Sequence, residues 1–307
     1  MHGHAVARCT IAGVEHPHHH PRGTRTEPRE IVELRQLRAT QPDLATAVDF
    51  QIALLQLQHR IQSRLAMPWF EVDPGWLREQ QGKGRPFLRF EDIPLDWTDV
   101  RLMFRQTADL LLRHEALDPA THGRLQSLAR EGHTLEPLVV GWYNQRAAPE
   151  KVQPGDVPAG VLRGVDADTL DQVVTLALRP FLERCAEVLQ QRLDFSAWTQ
   201  AYCPICGGAP EFAVITRAAD RMLLCSRCSG RWSFHPLACP YCHNDDRSLI
   251  TSFASRDGHY RLYACDVCRR YVKAYDARRA ARPVMLAVDS IATLPLDAAA
   301  IQRGYKG

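Results

Sequence analysis

Between residues 203 and 268 the chain reads Cys203-Pro-Ile-Cys206, then Cys225-Ser-Arg-Cys228, then Cys239-Pro-Tyr-Cys242, then Cys265-Asp-Val-Cys268. In each pair, two intervening residues let the backbone fold into a tight knuckle that presents both thiolates to one ion. Two knuckles complete a tetrahedral four-sulfur site. Eighteen residues part the first knuckle from the second and twenty-two part the third from the fourth, close to the spacing of metal ribbons. The first knuckle recurs 36 residues on and the second 40 residues on, so the stretch is a repeat whose second copy has four extra residues in its hairpin. Each copy reads knuckle, strand, turn, strand, knuckle and then an aromatic segment, with Trp232 and Phe234 in the first and Tyr271 and Tyr275 in the second. Pairing within each copy is simplest: Cys203, Cys206, Cys225 and Cys228 around one ion, Cys239, Cys242, Cys265 and Cys268 around another. A crossed arrangement stays open, because only ten residues join Cys228 to Cys239.

Outward from the cysteines, the residues at 211–215, 221–224, 249–253, 259–264 and 271–275 are short, β-branched or aromatic runs bounded by turn residues, which predicts strands. Before residue 201 the period is helical. Val48, Ile52 and Leu55 share a face, extended by Ile61 and Leu65 and stopped by Pro68, and Asp43 is placed to cap that helix. Val100, Met103, Phe104, Thr107, Leu110 and Leu111 write another helix that closes before Pro119. Further helices are expected around Leu135, Leu138, Val139 and Trp142, and from Leu170 to Leu193. Residues 149–164, rich in proline and glycine, connect them. The first 29 residues hold six histidines, at 2, 4, 16, 18, 19 and 20, among prolines, and read as a disordered, His-rich arm. The fold class expected is therefore α+β and multidomain. An all-α domain at 30–200 precedes two tandem zinc-ribbon-like metal domains, at 201–238 and 239–307, the second ending in a helix.

The composition, 45% apolar and 24% charged over 307 residues, excludes a disordered chain, a collagen and a disulfide-stapled miniprotein. No run approaches the roughly 18 apolar residues of a membrane helix, and 5–14, interrupted by Arg8, lacks a secretory pattern. A cytoplasmic protein is expected. In that reducing compartment paired cysteines point to metal or redox chemistry rather than to structural disulfides. Cys185 falls on the apolar face of the last helix and reads as core, and Cys9, alone in the arm, is given no role.

Three functions compete for the cysteine module. A thioredoxin-like dithiol is disfavoured, since no βαβ unit surrounds any pair. A nucleic-acid ribbon draws on thirteen basic against seven acidic residues between 203 and 282, nominally +6. Four thiolates around a divalent ion carry −2, however, so two loaded sites reduce that excess to about +2 and the formal net charge of +3 to about −1. The third reading is a structural or electron-transferring metal module that supports binding to another protein. Trp232, Phe234, Tyr241, Tyr260 and Tyr263 can shield sulfurs or fill the core of so small a domain. His235, His243 and His259 are expected at the surface or beside the sites, since eight cysteines already complete two S4 sets. No Ser-His-Asp set, phosphate loop or paired-carboxylate motif is present, so an enzyme is not expected.

Cys203-Pro-Ile-Cys206-Gly207-Gly208-Ala209-Pro210, Leu223-Leu224-Cys225-Ser226-Arg227-Cys228 with Trp232 four further on, Cys239-x-x-Cys242, Cys265-Asp266-Val267-Cys268 and Tyr271-Val272-Lys273, preceded by a helical domain, resemble the formate dehydrogenase accessory protein FdhE family. The likeness is dense from about 198 to 275. The sequence departs from that family where Val288 replaces one acid of an acidic pair, Asp289 keeping the other, and where Pro236 stands in place of an arginine. The resemblance implies a cytoplasmic maturation factor without turnover of its own that contacts the catalytic subunit of formate dehydrogenase. It also implies rubredoxin-like metal sites on the eight cysteines, with iron favoured and zinc compatible with the same ligands, and no membrane or nucleic acid as partner.

Overall fold

The computed structural model describes residues 27–71, 73–147, 164–280 and 282–307. The His-rich arm, Cys9 and nearly all of the 149–164 connection lie outside them. The helical part consists of α1 (Arg29–Thr40), α2 (Ala45–Gln62), α3 (Pro74–Gly82), α4 (Trp97–Arg113), α5 (Pro119–Arg130), α6 (Gly132–Ala147) and α7 (Ala167–Arg192). Their starts are chemically marked. Asp73, Asp96, Asp118 and Asp166 each accept backbone N–H bonds of the first turn, and Pro74 and Pro119 occupy the position where no N–H is needed. Asp43 does not cap α2: Pro42–Leu44 forms a 3-10 turn that leads into the helix through Leu44, and no side chain caps that end. The central layer is α4 against α2 and α7, with Val100, Met103, Phe104, Leu111, Val173, Val174, Phe181 and Leu182 buried between them.

After α7 the strands β1 (Pro210–Ile215), β2 (Arg221–Cys225), β3 (Arg231–Phe234), β4 (Ile250–Ala254), β5 (Tyr260–Cys265) and β6 (Tyr271–Asp276) form one six-stranded sheet in the order β3-β2-β1-β6-β5-β4. The segment around Trp232, read from sequence only as aromatic, is the edge strand β3. Each repeat is a three-stranded antiparallel meander, and the two are fused by a parallel pairing of β1 with β6, in which Phe212 faces Lys273 and Ile215 faces Asp276.

Strand alternation divides the sheet between two partners. Ala213, Leu223, Val272 and Ala274 join the core of the helical domain, whereas Phe212, Tyr260, Tyr275, Leu262 and Tyr271 pack toward the C-terminal helices α8 (Leu286–Ala292) and α9 (Leu294–Gln302). Pro295, in the first turn of α9, separates the two helices at the expected C-terminal helical segment. Helix α8 also returns to α1 and α2, where Met285 and Val288 bury against Ile31, Leu34, Val48 and Leu55. The sheet is thus held on both faces and stands between the helices that precede it and those that follow it.

Candidate metal centres

All four knuckles share one backbone design. The N–H of the first cysteine donates to the carbonyl five residues on, and its own carbonyl accepts from the residue four on: Cys203 with Gly208 and Gly207, Cys225 with Gly230 and Ser229, Cys239 with Asn244 and His243, Cys265 with Arg270 and Arg269. The residue four on is left-handed every time, with φ of 71° at Gly207, 54° at Ser229, 60° at His243 and 58° at Arg269. Only the first is glycine. That three side-chain-bearing residues accept a conformation costing roughly 1 kcal/mol or more shows how firmly the surrounding bonds fix the turn.

The turns bring the sulfurs together in two quartets, Cys203, Cys206, Cys225 and Cys228 in the first and Cys239, Cys242, Cys265 and Cys268 in the second, with the sulfurs of each set within 4.8 Å of one another. These are the local groupings rather than the crossed one. Neighbouring sulfurs lie 3.4 Å apart for Cys206 to Cys225 and Cys206 to Cys228, and 3.6 Å apart for Cys203 to Cys228, Cys239 to Cys268 and Cys242 to Cys265. A disulfide needs about 2.05 Å. Sulfurs at about 2.3 Å from a tetrahedral ion stand about 3.8 Å apart, so both quartets have the dimensions of a four-sulfur metal shell. The donor set fits as well. Burial pushes the Cys203 and Cys228 thiols far up, while at Cys225 burial is outweighed by hydrogen bonds from Cys203, Cys206 and Cys228 that favour its thiolate. As thiolates, the four sulfurs closed away from water would need a counter-charge, which a bound cation would supply.

The two quartets differ in their surroundings. In the first, every cysteine is buried. Phe87 and Leu88 donate backbone bonds to Pro204 and Ile205 inside the first knuckle, and Tyr143 anchors that segment by donating to the Leu88 carbonyl. Arg227, within the second knuckle, is fully buried and lies over the ring of Trp142. From α7, Arg179 donates to the Ser226 carbonyl, Glu183 accepts from the Ser229 hydroxyl, and Gln190 accepts from the Arg231 N–H. Burial raises the Glu183 carboxyl above its ordinary value. Gly208 has no side chain because a Cβ there would stand 2.7 Å from the Cys225 sulfur.

The second quartet is more open, with Cys242 and Cys268 partly exposed. Its fourth knuckle is braced by the end of the chain: Arg269 lies over Tyr305, Tyr305 donates to Asp266, and Lys306 pairs with Arg269 and Tyr271 through the backbone.

Of the aromatic residues singled out in sequence, Trp232 is buried beside the first quartet and donates to the Gln200 carbonyl, and Tyr241 lies under Arg270 next to the second. Phe234 packs at the edge of the His243 ring, and Tyr263 lines a cavity at the second quartet. Tyr260 is on the opposite sheet face, donating to Asp289, and shields no sulfur. His235, His243 and His259 are exposed. Cys185 is fully buried among the helices, and burial raises its thiol to about 12, which leaves it protonated and inert. The sequence reading gave Arg227 and Gly208 no role at the site, counting Arg227 only among the basic residues; the Gly207-Gly208 doublet directly after a knuckle was the available signal.

Fold and site together define an α+β protein in which two four-cysteine ribbons share a sheet seated on a helical domain. No protein-family model matches the chain. A protein described as "Protein FdhE homolog" from Aquifex aeolicus is 23% identical over 270 residues, covering 86% of this chain and 87% of that protein. "Protein FdhE" from Escherichia coli is 28% identical over 107 residues, 34% of each chain. The crystal structure of the FdhE protein from Pseudomonas aeruginosa shares the fold, with a TM-score of 0.58 and 20% identity over 91% of this chain and 92% of that one. Along most of its length the chain is therefore similar in sequence to an FdhE homolog, and it has the fold of an FdhE protein.

Proposed function

We propose that the eight cysteines are metal ligands in two S4 sites, and that the chain is a cytoplasmic accessory protein, not an enzyme, which holds the catalytic subunit of formate dehydrogenase during its maturation. The observation that carries the reading is the conjunction of two sulfur quartets of metal-shell dimensions with an FdhE-like fold along nearly the whole chain. Iron is the favoured ion on the resemblance to FdhE, and the same tetrahedral set accepts zinc. When bound, the ions would supply the positive charge that offsets four clustered thiolates at each site and so fix the knuckles. The polypeptide supplies the rest: the helical domain clamps the first site, and the second is left at the surface where another protein can reach it.

Reduced thiols fit this place, since no disulfide joins the described cysteines. No helix among the described residues is long and apolar enough to cross a membrane. The test is co-purification of the tagged full chain with the catalytic subunit. Cys203→Ser and Cys239→Ser are expected to lose it together with metal; undiminished capture by a metal-free, folded variant contradicts the proposal. An absorption spectrum with elemental analysis of the same samples distinguishes coloured Fe(Cys)4 from colourless zinc.

A further inference from the structure

The two ends of the sheet are not alike. Edge strand β3 is four residues long, opens with Arg231 and is soon followed by Pro236, the usual protections of an edge. At the other end β4 reads Ile-Thr-Ser-Phe-Ala, without a charge or a proline, has β5 as its single strand neighbour among the described residues, and exposes Ser252 and Ala254.

The repeat shows what such an edge accepts. Pairing with Cys225 and Cys265, and with Arg221 and Arg261, makes Ile250 the counterpart of Pro210 and Ala254 the counterpart of Ile215. In the first repeat that same edge, β1, carries the parallel strand β6. In the second repeat no strand among the described residues pairs with the equivalent edge.

Chemistry around the open edge selects its occupant. A cavity of about 230 Å³ lies against the second quartet between β4 and the 236–241 segment, with Ile250, Tyr263 and Val272 among its walls. Three arginines, Arg221, Arg247 and Arg270, line it and no acidic residue does. None of the three pairs with a carboxylate among the described residues. Their charge exceeds the −2 that a divalent ion with four thiolates would place beside them. On the opposite face of β4, Arg303 lies over Phe253. Leu249 and Val267, both exposed, add apolar surface at the rim.

We infer that β4 is a strand-addition site: an extended segment of the partner protein, carrying apolar and carboxylate side chains, pairs with Ile250–Ala254 in parallel as β6 pairs with β1, and sets a carboxylate against the cavity arginines. The inference rests on the accessory reading for the identity of that partner. It places the docking edge at the second metal site, whose knuckles fix both ends of the β4–β5 hairpin.

The experiment uses the full chain and the immature catalytic subunit of formate dehydrogenase. Binding is measured for the wild type, Ser252→Glu, Arg247→Glu and, at the guarded edge, Ser233→Glu, with metal content and thermal midpoint recorded for each. Ser252→Glu and Arg247→Glu are expected to weaken binding by about tenfold or more, with metal and midpoint unchanged. Ser233→Glu should bind as the wild type does, and the complex should slow hydrogen exchange at Ile250–Ala254. Wild-type affinity in both β4-side variants overturns the docking edge and leaves the accessory reading standing. A wild-type chain that does not bind the subunit overturns the accessory reading and the occupant together.

Discussion

The guanidinium of Arg227 lies 3.5 Å from the centre of the Trp142 ring and donates through Nη2 to the Trp142 carbonyl at 3.1 Å. The middle of the second knuckle is thereby seated in helix α6, so the first metal centre and the helical domain are one packed unit. Arg227→Ala is expected to lower stability by about 2 kcal/mol or more, the scale of a desolvated cation–π contact with its hydrogen bond. Urea unfolding together with metal content per chain checks this. The variant should be destabilised and should hold its first ion less tightly, while the second ion is kept. Wild-type stability would show that the contact does not couple the two parts.

The two centres should release metal at different rates. The first quartet is closed on all sides, whereas Cys242 and Cys268 of the second are partly exposed. A chelator is expected to remove one ion per chain quickly and the other slowly, and Cys239→Ser should lack the fast phase. Release in a single phase would mean that burial does not control access.

At Gly208 an added Cβ would stand 2.7 Å from the Cys225 sulfur and 2.8 Å from Arg227 Cδ. Both neighbours are fixed, one as a proposed ligand and the other by Trp142. Gly208→Ala should therefore weaken metal at the first centre by about tenfold or more. Gly82→Ala, where a Cβ meets nothing, serves as the comparison. Equal metal retention in the two variants would refute the steric argument.

Asp276 ends β6 with a fully buried side chain that accepts from Arg278 at 2.7 Å and from Arg261 at 3.2 Å. The Arg278 hydrogen bonds, with those of Arg261, outweigh burial and hold the carboxyl at about 2. A carboxyl depressed in the folded state stabilises the fold above the ordinary carboxylate range, and that contribution is lost as the pH falls from about 4 to about 2. Its size is on the order of 1 to 2 kcal/mol once solvent screening at the 41% exposed Arg278 is allowed for. Asp276→Asn should lose this much at neutral pH and unfold with a shallower dependence on acid. An unchanged acid limb would remove Asp276 from the account.

Features written in local sequence were legible there. The knuckle spacing marked all eight cysteines, the 36- and 40-residue recurrences marked the repeat, and the apolar period marked α2, α4, α6 and α7. Helix α5 was passed over although Asp118-Pro119 is a cap followed by a favoured first residue, and α3 likewise at Asp73-Pro74. The fusion of the repeats had no local signature. The parallel pairing of β1 with β6 joins residues some sixty positions apart, and nothing in either strand names its partner. Arg227 misled for a related reason: counted as surface charge in a basic ribbon, it is buried against an indole contributed by a helix 85 residues earlier.

The central claim is that each sulfur quartet holds one metal ion. Elemental analysis of the purified, reduced full chain tests it most directly, alongside Cys225→Ser and Cys265→Ser. The account predicts two ions per chain in the wild type and one in each variant, the second site surviving loss of Cys225 and the first surviving loss of Cys265. A folded wild-type chain without metal, or a wild-type chain holding one ion that either substitution removes, would contradict it.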